Sequence, residues 1–262
     1  RTPDLVSEAA MRNLKFRTTH ETHPGLRRRE NEDAVAIHES GHFWAVADGM
    51  GGHLHGRFAS DTVTRRLSEI VTTGVFAEDV SEVQRAVNAA NRIVYDRARM
   101  QGVTIGTTLA ALYTDGAQAV CFWVGDSRVY RFRDGVLEQL TRDHTQVRHL
   151  LDTRQISGEE AKNHPMGHVL TRAIGVDEVV RLDMRAVDVE PDDIFLICSD
   201  GLTACAEEFD IVAALREAGG LRACTRLLDL CLERGAPDNV SIISVICDEV
   251  TAVEDVPAVA WG

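Results

Sequence analysis

Asp33-Ala34-Val35-Ala36-Ile37-His38-Glu39-Ser40-Gly41-His42-Phe43-Trp44-Ala45-Val46-Ala47-Asp48-Gly49 is the stretch that decides the architecture of this chain. Two short apolar runs, Ala34–His38 and Phe43–Ala47, flank Glu39-Ser40-Gly41, whose composition suits a hairpin turn. In an antiparallel pair the start of one strand lies beside the end of its neighbour. Asp33 opens the first run and Asp48 closes the second, so the hairpin brings two carboxylates to one edge.

Outward from the hairpin, Lys15–His20 reads as an opening strand and Phe58–Val71 as a helix. Val80, Val83, Val87 and Val94 recur at helical spacing and predict a long helix over Asp79–Met100. Leu109–Tyr113, Ala119–Val124 and Val129–Arg133 read as a meander, with turns at Thr114-Asp115-Gly116 and Asp134-Gly135. Residues 143–175 are polar, contain several histidines and are weakly periodic, as in an inserted flap. Strands resume at Met184–Val189 and Ile194–Cys198. Helices follow at Phe209–Ala218 and Leu221–Arg234, then a buried strand at Val240–Ile246. Residues 1–14 read as a leader, 15–248 as a single domain and 249–262 as a tail. Strand groups alternating with helix pairs predict an α+β fold, a central sandwich of two antiparallel sheets flanked by helices.

With 262 residues, 44% of them hydrophobic, the chain can bury a large core as one domain or at most two. The formal net charge of −13 argues against nucleic-acid binding, which calls for a basic face. An acidic surface also repels phosphorylated molecules unless bound cations reverse the sign locally. No apolar run approaches the roughly 18 residues of a membrane span, and no secretory signal is evident. A cytoplasmic protein, or part of something longer, is expected. The 6 cysteines form no Cys-x-x-Cys pair and are expected to be reduced and structural.

One pattern recurs along the chain. Phe43–Ala47 runs into Asp48-Gly49, Phe122-Trp123-Val124 into Gly125-Asp126-Ser127, and Phe195–Ser199 into Asp200-Gly201. Conversely, Asp33 and Asp238 each precede a strand, and by the antiparallel logic Asp238 can lie beside Asp200. Carboxylates gathered on one rim repel unless cations neutralise them, and an oxygen-only donor set selects hard ions such as Mg²⁺ or Mn²⁺. A lone Asp-Gly is far more often a turn, as Asp115-Gly116 and Asp134-Gly135 are expected to be. Composition and periodicity alone leave both readings open.

The motifs in order are Arg28-Arg29-Glu30-Asn31-Glu32-Asp33, Ala47-Asp48-Gly49-Met50-Gly51-Gly52-His53, Gly106-Thr107-Thr108 and Val124-Gly125-Asp126-Ser127-Arg128-Val129-Tyr130. Leu140-Thr141-Arg142-Asp143-His144, Leu170-Thr171-Arg172-Ala173-Ile174-Gly175, Ser199-Asp200-Gly201-Leu202 and Asp238-Asn239-Val240-Ser241 complete the set. In this order, over nearly the whole chain, it resembles the metal-dependent protein phosphatases of the protein phosphatase 2C type, the bacterial branch in particular. That resemblance implies a metal centre at one end of the sandwich, holding two to three divalent cations, Mn²⁺ or Mg²⁺. Asp48 is then the carboxylate bridging two metals, with the Gly49 carbonyl on one of them and Asp200 and Asp238 on the other. Asp126 with Asp200 resembles the pair holding a third, weaker metal. Arg28 matches the phosphate-binding arginine, Asp33 a residue orienting water, and Glu32 its support.

The implied reaction is attack of a metal-bound hydroxide on phosphoserine or phosphothreonine, with no phosphoenzyme. The implied partners are phosphorylated proteins and a serine/threonine kinase, with no nucleic acid and no membrane segment, and the chain acting as a monomer. Met50 stands where many eukaryotic members carry a histidine proposed to protonate the leaving group, which leaves the general acid open. His144 is expected to be structural, Arg57 either an exposed residue or a minor change in the rim, and His53 and His55 solvated loop residues; His149, Arg154, His164 and His168 of the flap are expected to be solvated, with contact to phosphopeptide as the alternative. A catalytically weak phosphoprotein-binding relative and a metal-dependent nuclease are the competing readings. The complete set of aspartates disfavours the first, and the acidic charge and motif order disfavour the second.

Overall fold

The computed structural model of the chain describes residues 14–249 with the exception of 53, 163 and 168. Its elements begin with β1 (Leu14–His23), β2 (Asp33–His38), β3 (Phe43–Met50), α1 (Leu54–Ser68), α2 (Phe76–Gln101) and β4 (Gly106–Thr107). They continue with β5 (Leu109–Thr114), β6 (Gln118–Val124), β7 (Arg128–Arg133), β8 (Val136–Gln139), α3 (Gln146–Asp152) and α4 (Gly158–Lys162). The last are β9 (Asp183–Asp188), β10 (Ile194–Cys198), α5 (Asp200–Thr203), α6 (Glu208–Glu233) and β11 (Val240–Glu249). The expected leader and tail lie outside the described residues, apart from Leu14 and Glu249, which pair with each other at the ends of β1 and β11.

Two antiparallel sheets result. One has the order β1-β11-β10-β7-β8; the other runs β2-β3-β5-β6-β9, with β4 paired to β3. Period-two alternation sorts each strand's residues into two layers. In β3, Phe43 and Ala45 join the cluster formed with α1 and α2, whereas Trp44 and Val46 enter the cluster between the sheets. In β10, Phe195 and Ile197 lie between the sheets, while Leu196 and Cys198 pack with α6 residues such as Leu227 and Cys231. Both faces of the central strands are buried, which is why these strands read as unbroken apolar runs. Trp44, fully buried, donates its Nε1–H to Thr18 Oγ1 at 2.9 Å and so satisfies its one polar atom across the two sheets.

The helices cover the outer faces. Val83, Val87 and Val94 of α2 are buried, as their spacing predicts, and Val80 is partly buried against the same helix-covered cluster. α6 is broken at Gly219, so the two helical stretches read from the sequence abut as one kinked element. Of the 6 cysteines, all but the partly exposed Cys205 are buried.

The expected meander is not formed. β5 and β6 pair as a hairpin, but β7 pairs with β10 and β8 in the opposite sheet. The reason lies in Gly125, which takes φ 101°, and a Cβ there would lie 2.6 Å from Thr108 Cγ2. Only glycine accepts that combination without strain, so the chain leaves one sheet at Gly125-Asp126-Ser127 and enters the other. β8 gives little periodic signal, since Val136 is exposed and the rest is half-buried.

Candidate active site

The β2–β3 register places Asp33 directly opposite Asp48, as the hairpin reading requires. The Asp48 N–H donates to Thr108 Oγ1 at 3.0 Å, and its carbonyl accepts from Thr107 Oγ1 at 2.9 Å and the Thr108 N–H at 2.8 Å. Thr108 Oγ1 also meets Ser127 Oγ at 2.6 Å, so one threonine braces both the Asp48 strand end and the sheet crossing that carries Asp126.

Asp200 and Asp238 arrive from the other sheet, at the end of β10 and just before β11. The Ser199 N–H donates to the Ser241 carbonyl at 3.0 Å, and the Ser241 N–H donates to Ser199 Oγ at 3.0 Å. Ser199 Oγ in turn donates to Asp33 Oδ2 at 2.8 Å, tying the two sheets together beneath the rim. Close approach is possible because residue 201 is glycine: a Cβ there would fall 1.8 Å from the Asn239 carbonyl oxygen.

Asn239 organises the loop between β1 and β2. Its Oδ1 accepts the Glu32 N–H at 2.8 Å, and its Nδ2 donates to the Pro24 and Glu30 carbonyls at 2.9 and 3.0 Å. The Glu32 carbonyl accepts the Gly49 N–H at 3.2 Å. Arg28, on the same loop, sets its guanidinium fork on Asp238, with Nε to Oδ1 at 2.9 Å and Nη2 to Oδ2 at 2.8 Å.

Asp48, Asp126, Asp200 and Asp238 line one cleft of about 430 Å³ together with Arg28, Glu32 and Gly49. Asp33 lies below them, 7% exposed. The gathering of charge shows in its titration. Burial, then Asp33, Asp200, Asp126 and Asp238, push the Asp48 carboxyl well above the usual range. Burial foremost, with Asp200 and Asp238 adding to it, pushes Asp33 up to about 7. Asp126 is pushed up to about 7 by burial and then by Asp200 and Asp143. Each shift has the sign expected where a carboxylate lacks both water and counter-charge.

Among the described residues no three Asp, Glu, His or Cys side chains close round one point as a finished metal cage. The cluster nevertheless fits divalent cations in charge and donor type. Asp33 Oδ1 is buried with no hydrogen-bond partner among the described residues, and the mutual repulsion of the aspartates is of the kind that a bound cation relieves. All the donors are oxygens, as hard ions require.

A second cleft of about 670 Å³ adjoins the first, with Asp126 and Asp200 on one side and α3, α4 and His164 on the other. His164 therefore faces a cleft, whereas His149 and Arg154 are exposed elsewhere on the segment; His53 and His168 lie outside the described residues. Met50 lines the acidic cleft, and Arg57 is exposed and pairs with Asp61 at 3.5 Å. The bracing residues Thr108, Ser199 and Asn239 have no role assigned from sequence. Their signal is only that each is a polar residue beside a rim aspartate or a buried strand.

An acidic cleft with one arginine fork, at the strand ends of a two-sheet sandwich, suits a class of protein that pairs divalent cations with a phosphate group. Known proteins agree. The family profile described as Protein phosphatase 2C matches residues 27–234. The chain is 35% identical over 246 residues to the serine/threonine phosphatase stp of Listeria monocytogenes serotype 4b, covering 89% of this chain and 95% of that protein. It superposes with a TM-score of 0.83, at 37% identity, on PppA, a key regulatory component of T6SS in Pseudomonas aeruginosa, covering 90% of this chain and 100% of that one. The catalytic domain of PstP in complex with 2 manganese ions matches with a TM-score of 0.78 at 33% identity, covering 90% and 100%. The chain belongs to the protein phosphatase 2C family and is a phosphatase enzyme. Among its described residues no helix is long and apolar enough to cross a membrane.

Proposed function

We propose that this chain hydrolyses phosphoserine and phosphothreonine esters of proteins, using two to three divalent cations held at the acidic rim. The observation that carries the reading is the single cleft shared by Asp48, Asp126, Asp200 and Asp238 over the buried Asp33. Asp48, bridging, with the Gly49 carbonyl, Asp200 and Asp238 would hold a pair of cations, and Asp126 with Asp200 a third. Such cations, when bound, polarise phosphate oxygens and supply a water acidic enough to ionise near neutral pH.

The chain's own residues do the rest. Arg28 turns its fork from Asp238 to two phosphate oxygens, for which its planar geometry is suited. Asp33 offers the unpartnered Oδ1 as an acceptor that orients water at the cleft floor. Glu32 supports that position through its backbone bonds to Asn239 and Gly49. Met50 carries no transferable proton, so the leaving alkoxide takes one from cleft water or from a side chain of the flap, residues 143–175. The names of the stp and PstP relatives support the serine/threonine phosphatase reading, and we extend it to a cytoplasmic signalling enzyme that acts as a monomer and opposes a bacterial serine/threonine kinase.

Phosphate release from a phosphothreonine peptide, measured with Mn²⁺ and then with chelator, tests the reading. Turnover is expected only with the cation, and Asp48→Ala and Asp200→Ala should each abolish it while the far-ultraviolet circular dichroism stays that of a folded chain. Near-wild-type turnover in Asp48→Ala would reject the bridging role, and binding of phosphopeptide without turnover would make the chain a recognition module.

A further inference from the structure

The ends of the 143–175 segment are stitched together at its base. The Thr171 N–H donates to the His144 carbonyl at 2.8 Å and the Gln146 N–H to the Val169 carbonyl at 2.9 Å, around an antiparallel bridge between Thr145 and Leu170. From this base His144 reaches back to the sheet crossing. Its N–H donates to the Gly125 carbonyl at 2.8 Å, and the Gly125 N–H donates to its Nδ1 at 3.1 Å. Both backbone polar groups of Gly125 are thus held by one residue.

Because Nδ1 accepts, the ring proton of the neutral imidazole sits on Nε2. That atom faces Asp183 Oδ2 at 3.1 Å, and Arg172 Nη1 holds Asp183 Oδ1 at 2.9 Å. Trp123 stacks on the ring at 6.3 Å and anchors itself by donating Nε1–H to the Arg142 carbonyl at 2.8 Å. The imidazole is 8% exposed and is held on every side. Gly125, by contrast, has no side chain and a left-handed backbone, so nothing of its own fixes the peptide that leads into Asp126.

We propose that His144 is a positioning residue: by holding both polar groups of Gly125 it aims the Asp126 carboxylate into the cleft and couples that aim to the base of the flap. The Ser127–Thr108 contact anchors the far side of Asp126, and His144 anchors the near side. This inference rests on the reading of Asp126 as holder of the weaker cation.

Two substitutions separate the two ends of the imidazole. Asparagine places an amide oxygen near the Nδ1 position and keeps an acceptor for the Gly125 N–H while losing Asp183. Glutamine reaches for Asp183 and leaves the buried Gly125 N–H without its acceptor, a loss that costs a buried donor its full desolvation. Calorimetric titration with Mn²⁺ reads the tight and weak steps directly, without turnover. His144→Gln is expected to weaken the weak step by about tenfold or more, in the range typical when the support of a metal ligand is removed. His144→Asn should stay within about twofold of wild type, and the tight pair should persist in both.

Asp126→Asn serves as the reference. If it leaves the weak step intact, the assignment of Asp126 fails and this inference with it. If it removes the weak step while His144→Gln keeps it, the inference alone is overturned. Equal losses in the two His144 variants, or loss of the tight pair in both, would overturn it too, since the histidine would then be acting on the fold at large.

Discussion

Replacing Asp33 by asparagine should make the cation-free protein more stable at neutral and alkaline pH, and the size of the gain follows from burial. Asp33 is 7% exposed; its Oδ2 accepts from Ser199, and its Oδ1 has no partner among the described residues. Burial, reinforced by Asp200 and Asp238, raises its carboxyl from 3.8 to about 7. With the folded value above the unfolded one, the native state binds more protons between the two. The associated stability is complete below pH 3.8 and lost as pH climbs through about 7. Three units at 1.36 kcal/mol each bound the whole effect near ~4 kcal/mol, of which about 2–3 kcal/mol falls between pH 5 and 8.

Carboxylates held low by arginines contribute nothing in that window. Asp188 beside Arg133, Asp210 beside Arg234 and Asp248 beside Arg17 all titrate below the ordinary range. Thermal unfolding in chelator at pH 5, 6, 7 and 8 is the assay. The gap between Asp33→Asn and wild type should widen toward pH 8 by about 5 °C, at roughly 2 °C per kcal/mol for a chain of this size. Asp48 and Asp126, also raised, leave some slope in the variant. Mn²⁺ at pH 8 should restore more stability to wild type than to the variant. Parallel melting curves across the whole pH series would refute the picture of an uncompensated acid beneath the rim.

Arg28→Ala should move two affinities in opposite directions. Losing the fork frees Asp238, whose pairing with a 58% exposed arginine is worth about 0.5–1 kcal/mol, so Mn²⁺ should bind about two- to fivefold tighter. The same variant should lose about 10- to 100-fold in kcat/KM for phosphopeptide, the value of a charge-assisted fork on phosphate; weaker Mn²⁺ binding would contradict the competition. Gly201→Ala should push Asn239 away and part Asp200 from Asp238, costing about 1–3 kcal/mol in chelator melts and abolishing the tight Mn²⁺ step. An alanine variant that binds Mn²⁺ like wild type would show that the close approach is dispensable.

What could be read from the linear chain was local. The run from Asp33 to Gly49 contains both strands of a hairpin and its turn, so the Asp33–Asp48 pairing followed from alternation and the antiparallel rule. The same reading places carboxylates near the end of β3, just after β10 and just before β11, although β3 runs on past Asp48 to Met50, where it pairs with β4. The motif order then pointed to the family and to the residues of the rim.

Other features belong to the tertiary structure. Strands buried on both faces carry no mark of which sheet they join, so the crossing at Gly125 that takes β7 away from β6 was invisible to periodicity. The contacts of Asn239 with the Arg28 loop, of Ser199 with Asp33 and of His144 with Gly125 join residues as far apart as 215 positions. Alternation and turn chemistry report on neighbours along the chain. Hydrogen bonds between remote segments exist only once two sheets have closed face to face, and in this protein those bonds aim the rim.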